Sequence, residues 1–446
     1  MTGQGSNKVS TDFVALTAYS AVTRTGIACC KALFKNKWKF SIATAFGLLF
    51  FIYTGFGLSE RSIDGLRFIG KYSAYLYIFI ISFYVFSSRI VATNINNQNA
   101  SRIVFDSSTF CNSIIATYIA ASLLPLTLPE FKLGLLFSPP SLNFSDIFSQ
   151  PATPANETTT KVTRYLSLLL IAPFLLSLGN QKRRPIKVAA ILILLSYIQY
   201  VSSAYLSRSS ILANLVVYVI YIVIQYPEKR RSIALFILGI TPIIGLAAAW
   251  YLAFRMGTHA SQSIKDLAWV MFDIETNFPR DAGIPLYESN QHGNIGDYLI
   301  WIFTIPIPKA FFGQFIDYNI NYEITYVLTG YRPSESGFSV PLTGTLFAAI
   351  YSLGELFWIE PIITGALAGI ATKTASQYKH PSLLLGYILI TCSYIYNRAG
   401  VGGFAPPIYN SFLWLILLWE PMINLASKIK TPHTKFSPNR PKNQLP

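Results

Sequence analysis

The chain has 446 residues, of which 52% are hydrophobic and only 12% charged, and its mean hydropathy is +0.42. A soluble domain carries about 25% charged residues, so this composition excludes a soluble globular enzyme and indicates an all-α polytopic membrane protein. The net charge of +15 does not point to nucleic acid, because the basic residues cluster beside apolar segments, as the positive-inside rule predicts.

Residues 1–39 read as a cytoplasmic N-terminal segment, polar and then basic, with Lys31, Lys35, Lys37 and Lys39 ahead of the first span. They hold no short apolar core followed by a small-residue cleavage site, so the first span is expected to act as an uncleaved signal. The four cysteines, Cys29, Cys30, Cys111 and Cys392, have neither metal nor disulfide-framework spacing. Residues 40–254 read as a membrane bundle of about seven helices, each needing about 20 apolar residues. The spans fall near 40–58, 72–88, 109–129, 162–178, 188–206, 210–226 and 232–254, with a periplasmic loop near 130–161 that is rich in Pro, Ser and Thr. The loop's two sequons, at 143–145 and 156–158, carry little information because such triplets are frequent by chance.

Basic loops orient the bundle. QKRRPIK at 181–187 and PEKRR at 227–231 flank the 188–226 hairpin, so both of its ends face the cytoplasm and its turn, SRSS, faces the other side. Arg208 in that turn is the one charge in an apolar run. It either caps the turn and snorkels to headgroups, or it meets an anionic partner through its bidentate fork.

Residues 255–355 form a polar, aromatic and charged periplasmic region with possible re-entrant or membrane segments. Its apolar pieces, 297–313 and 338–354, are broken by Pro306, Pro308 and Pro341. They are either two further spans or re-entrant segments covered by protein or water. The C-terminal membrane helices fall within 356–426, with spans near 356–372, 382–397 and 408–426, for about 10–12 spans in all. A basic cytoplasmic tail follows at 427–446. Both termini are thus cytoplasmic, and any active site in the late loop is periplasmic.

No GxxxxGK[ST], HExxH, GxSxG or CxxC motif is present, and the four histidines are scattered, so no metal and no cofactor are expected. What remains is a set of cations on the non-cytoplasmic side: Arg208, Arg255, Arg280, Lys309, Arg332 and Arg398. The positive-inside rule disfavours that placement. Convergent arginines would bind a diphosphate and stabilise it as a leaving group. Each taken alone could equally contact lipid headgroups or pair with Asp266, Asp281 or Glu335. Three residues are candidate general bases: Glu355, His292 and Asp281. Glu355 sits in SLGELFWIEP at the head of an apolar helix, with Glu360 one turn and a residue later. Partial burial there would favour a base; a carboxylate at a helix N-terminus is also favoured by the dipole alone. Tyr287, Tyr298, Trp301, Tyr318, Tyr322, Tyr326 and Tyr331 crowd the same region, as stacking surfaces for sugars or as an interfacial belt.

These features together resemble the Wzy-type O-antigen polymerase family. The resemblance is carried by SRSSIL at 207–212, by Pro308-Lys309 in IPIPKAFFG, and by Leu353-Gly354-Glu355 leading into a span. It covers most of the chain as architecture and a few short stretches as sequence. The arginine-to-glycine spacing of some members is matched only loosely, Arg332 to Gly344 having eleven intervening residues. The resemblance implies a GT-C-like glycosyltransferase of the bacterial inner membrane. It would act without metal, passing a growing glycan from undecaprenyl diphosphate to the non-reducing end of an incoming lipid-linked repeat unit. Its implied partners are the undecaprenyl-diphosphate-linked oligosaccharide, membrane lipid and a chain-length regulator protein. An O-antigen ligase, a lipid-linked oligosaccharide flippase and another membrane transporter remain open as alternatives.

Overall fold

The structure is a computed structural model that describes residues 63–88, 108–127, 154–180, 184–202, 209–229, 279–305, 318–331 and 343–429, with isolated positions between 232 and 243. The described residues are helical, with no strand. Numbered over these residues, the bundle helices are α1 (Ile63–Ser88), α2 (Ser108–Leu123), α3 (Pro154–Gly179), α4 (Pro185–Ser202) and α5 (Ser209–Gln225). Four short helices follow: α6 (Ile284–Glu288), α7 (Ile295–Thr304), α8 (Ile320–Thr329) and α9 (Thr345–Leu353). A 3₁₀ turn, Gly354–Trp358, leads into α10 (Ile359–Ala375), then α11 (Ser382–Ile390), α12 (Tyr396–Trp414) and α13 (Glu420–Ile429). Three stretches are long and apolar enough to cross a membrane: Thr109–Thr127, Thr345–Ala375 and Gly400–Leu425. Shorter apolar helices lie at Ala74–Ser87, Leu166–Gly179, Pro185–Val201 and Ala213–Gln225, as in a helical membrane protein. The expected span at 40–58 lies outside the described residues, and so does most of 232–254.

Contacts between helices fix their directions. Tyr118 stacks on Phe174 at 4.1 Å and Asn180 donates to Cys111 Sγ, so α2 and α3 are antiparallel. Asn214 donates to Ser196 Oγ at 2.9 Å across the α4–α5 hairpin. Gln225 reaches Ser382 while Gly386 lies against Val217, so α5 and α11 are antiparallel. By contrast α1 and α10 run parallel, Phe79 lying beside Gly365 and Phe83 beside Gly369.

That pair is the tightest in the bundle for a local reason. Gly365 and Gly369 are four residues apart on one face of α10, the small-xxx-small spacing that lets two membrane helices approach closely. A Cβ at Gly365 would fall 2.5 Å from the Phe79 carbonyl oxygen, and one at Gly369 would fall 2.8 Å from that of Phe83. Ser82 fills the seam by donating to the Ile362 carbonyl at 2.7 Å.

The stretch 345–375 is not one straight helix. Thr345 and Glu360 are 15 residues apart, which in a continuous α-helix is about 22 Å, yet Thr345 Oγ1 lies 3.3 Å from Glu360 Oε1. The chain folds back at Gly354, whose φ of +56° and ψ of −127° break α9. Hence α9, buried at every residue, is one limb of a short hairpin whose other limb is the 3₁₀ turn Gly354–Trp358 that leads into α10. The expected boundary between a loop region ending at 355 and membrane helices from 356 therefore falls inside this hairpin. A second break at Gly400, with φ +59° and ψ −154°, turns α12 beside α10, and a Cβ at Gly400 would lie 3.7 Å from Thr345 and Ala348. Together α6, α7, α8 and α9 cap that end of the bundle: Gly293 N–H donates to the Tyr351 carbonyl at 2.8 Å, and Phe68 of α1 packs on Tyr287 and Phe347.

Gly365→Ala should overpack the α1–α10 seam and cost about 1–3 kcal/mol, whereas Ile370→Leu on the exposed face of α10 should be nearly neutral. Thermal unfolding of the two purified variants in detergent measures this; equal midpoints would show that the close approach does not hold the bundle.

Candidate functional site

A carboxyl group is buried where the cap meets the bundle. Glu360, in the first turn of α10, is 3% exposed. Three hydroxyls from three other elements donate to it. Tyr75 of α1 reaches Oε1 at 2.9 Å, Tyr298 of α7 reaches Oε2 at 2.6 Å, and Thr345 of α9 reaches Oε1 at 3.3 Å. Tyr396 at the start of α12 lies 2.8 Å from the Tyr75 hydroxyl and 3.1 Å from that of Thr364, and Thr364 donates to the Glu360 carbonyl. All five of these side chains are buried. Tyr396 is clamped between Phe79, stacked at 5.5 Å, and Phe404, edge-on at 5.3 Å.

The hydroxyl protons can be assigned in order. The Thr364 proton points at a carbonyl, and those of Tyr75, Tyr298 and Thr345 point at the carboxylate. No Lys, Arg or His hydrogen-bonds to Glu360 among the described residues. Burying an unpaired carboxylate costs several kcal/mol, and hydrogen bonds to a charged group contribute roughly 1.5–3 kcal/mol each. Three donors therefore offset part of that cost without a counter-cation.

Beside Glu360 lies a cavity of about 130 Å³, walled by Tyr298 and Ile302 of α7, by Ile363 and Leu367 of α10, and by Val401 and Phe404 of α12. Apart from Glu360, Thr364 and the two tyrosine hydroxyls the lining is hydrocarbon. Its rim residues Leu299, Leu356, Ile359 and Ile363 are exposed, so the cavity communicates with the apolar outer surface of the bundle. α7 is ten residues long, too short to cross a membrane. Asn294 caps it, accepting from Gly296 N–H at 2.8 Å. It turns Tyr298, Trp301 and Ile302 inward and Ile300 and Phe303 outward.

The residues expected from the sequence fall in several places. Glu355 is in the 3₁₀ turn and is exposed, so the expected partial burial belongs not to Glu355 but to Glu360. The fold-back at Gly354 directs the first carboxyl outward and the second inward. His292 and Asp281 are both exposed. Arg280 and Asp281 pair locally at 2.8 Å within the π-helical turn Pro279–Gly283. Arg398, in the turn before Gly400, donates to the Tyr394 hydroxyl at 3.0 Å and stacks on that ring. Arg208, Arg255, Lys309 and Arg332 lie outside the described residues. Tyr75, Thr345, Thr364 and Tyr396 were not marked by any motif. Glu360 is itself absent from the residues expected from the sequence; the signal that could have found it is an acidic residue inside an apolar run, which is a functional-site candidate by default.

Tyr298→Phe removes one donor from a buried acceptor and should cost about 1–3 kcal/mol. Glu360→Ala orphans three hydroxyls and should cost more, while Glu355→Gln should leave the unfolding midpoint unchanged. Thermal melts of the detergent-solubilised variants read this order; a Glu355 variant less stable than the Glu360 one would remove the cage from the account.

No family model matches the chain, and no curated protein or solved structure does either.

Proposed function

We propose that the chain is a bacterial inner-membrane glycosyltransferase of about 10–12 spans with a GT-C-like plan. In this reading it polymerises lipid-linked repeat units, passing a growing glycan from undecaprenyl diphosphate to an incoming lipid-linked repeat. The observation that carries the reading is the apolar cavity between α7, α10 and α12, open towards the lipid-facing surface. A polyprenyl chain needs such a hydrocarbon path. Its diphosphate would leave that path at the capped end of the bundle, where Arg398 stands in the turn before Gly400; Arg208 and Arg255, its other expected ligands, lie outside the described residues. Bidentate arginines suit that diphosphate and stabilise its departure.

The base falls to an exposed residue. Glu360 already accepts three hydroxyls and has no free approach for an acceptor sugar. Glu355, His292 and Asp281 are open to one, and exposed Tyr287, Tyr322, Tyr326 and Tyr331 offer rings in the same cap. A transporter or flippase is the second reading. It is favoured by the break at Gly354 just ahead of a buried carboxyl, since discontinuous helices commonly line substrate and ion sites in transporters.

Deleting the gene should leave a surface glycan of one capped repeat unit in place of a ladder on electrophoresis. Loss of the single repeat as well would favour a ligase or a flippase. In a complemented strain Arg208→Ala should abolish the ladder and Arg208→Lys restore little of it, because an ammonium lacks the fork. Glu355→Gln should slow chain extension by about 10²–10⁴-fold if that carboxylate is the base; an intact ladder there, with a lost one for His292→Ala or Asp281→Asn, transfers the role. Cysteines placed at Ser209 and Ser289 should both react with an impermeant thiol reagent in intact spheroplasts, and labelling only after lysis would reverse the orientation.

A further inference from the structure

The cavity beside Glu360 is closed on one side by α7, and α7 is tied down by that carboxyl. Tyr298 is the one α7 side chain whose hydroxyl bonds Glu360, at 2.6 Å, and it is 1% exposed. The other attachments of α7 are apolar or lie at its ends: Trp301 against Gly402 and Tyr318, Ile302 in the cavity wall, and Gly293 on the Tyr351 carbonyl. Its opposite face, with Ile300 and Phe303, is exposed and apolar, so a small outward displacement of α7 strands no further buried polar group.

We propose that Glu360 is a proton-binding site whose occupancy sets the grip on α7, and hence access to the cavity. The groups facing Glu360 are Tyr75 from α1, Tyr298 from α7, Thr345 from α9, Tyr396 from α12 and Thr364 on its own helix; the only titratable ones among them are the three tyrosines. In the ionised state the carboxylate accepts all three donors. When a proton reaches Glu360 from solvent, it bonds to one carboxyl oxygen and cancels the charge. That oxygen is then a donor facing donors, and one of the three hydroxyls must turn away. Tyr75 keeps an alternative partner in Tyr396, and Thr345 keeps Tyr75, at 3.3 Å. Oε1 already accepts Tyr75 and Thr345 whereas Oε2 accepts Tyr298 alone, so the proton binds Oε2 and the Tyr298 hydroxyl is the one that must turn its proton away. Its charge-assisted bond to Glu360 becomes a weaker neutral one, which loosens the grip on α7. Nothing else is consumed: one proton enters from solvent and leaves by the same route.

The inference does not rest on the polymerase reading, and its readouts are independent of glycan synthesis. In the full-length protein in nanodiscs, acidification should raise the infrared carbonyl band of a protonated carboxyl, and part of that rise should be missing in Glu360→Gln and present in Glu355→Gln. Access is read with a cysteine at Val401, buried in the cavity wall opposite α7, normalised to one at Phe303, which is 73% exposed, in a background without Cys29 and Cys30. The Val401-to-Phe303 labelling ratio should rise about tenfold across the same titration, the scale of losing one hydrogen bond to a charged group. It should be high at every pH in Tyr298→Phe and independent of pH in Glu360→Gln. If Glu360→Gln does not fold, Tyr298→Phe alone decides. A Tyr298→Phe ratio that still follows the wild-type pH curve overturns the proposal, as does an infrared rise identical in wild type and Glu360→Gln.

Discussion

Four parts of the chain, more than 300 residues apart at their extremes, converge on one carboxyl group. Glu360 is removed from water, and a buried carboxyl must be satisfied by the protein or forfeit several kcal/mol. Tyr75 arrives because Gly365 and Gly369 let α1 lie almost backbone to backbone on α10. Thr345 arrives because the chain folds back at Gly354. Tyr396 arrives because α11 climbs to the same depth and α12 turns away at Gly400, and Tyr298 arrives on a helix too short to span anything. Each feature is local and cheap to specify. Their common consequence is that bundle and cap are held together at one titratable point rather than by a broad apolar interface alone.

The two glycine breaks decide what lies beside that point. A straight helix over 345–375 would carry Thr345 roughly 22 Å from Glu360 along its axis and would leave no room for α7. Folding at Gly354 doubles the chain back, exposes Glu355 and Leu356 on the outside of the turn, and buries Glu360 on the inside. The turn at Gly400 then places Val401, Phe404 and Ala405 opposite Ile363 and Leu367, and the space between them is the cavity. Thus the cavity and the carboxyl share one cause.

Much of this architecture was legible in the sequence, and the part that was not has a physical reason. Apolar run length puts spans near 109–129, 188–206 and 210–226, and helices occupy 108–123, 185–202 and 209–225, because crossing hydrocarbon leaves a helix little choice of composition. The region from 297 to 354 resisted, since its pieces are too short to span and their depth is set by what covers them. Length and hydropathy also mislead across Gly354, where the apolar pattern runs on while the chain reverses. As for the site, the sequence favours Glu355 over Glu360, because which of the two is buried depends on the face of a fold-back that each occupies. Tyrosines 75, 298 and 396 are indistinguishable in sequence from interfacial aromatics; only three-dimensional convergence sets them apart. The arginines at 208, 255 and 332 and Lys309, which dominate a reading of the sequence, lie outside the described residues.

Stability does not by itself account for Glu360. Replacing a buried charged or polar cluster with well-packed apolar residues is often neutral or stabilising, and ionisable groups within membrane helices are costly enough to be rare unless they act. Leu or Phe at these positions could fill the same volume without the need for three hydroxyl donors in register. What an apolar core cannot do is change its charge. A carboxyl caged by hydroxyls, with no cation hydrogen-bonded to it among the described residues, keeps that freedom, and the helix it grips is a wall of the cavity that opens towards the apolar outer surface of the bundle. The cage therefore makes physical sense as a coupling between proton occupancy and access.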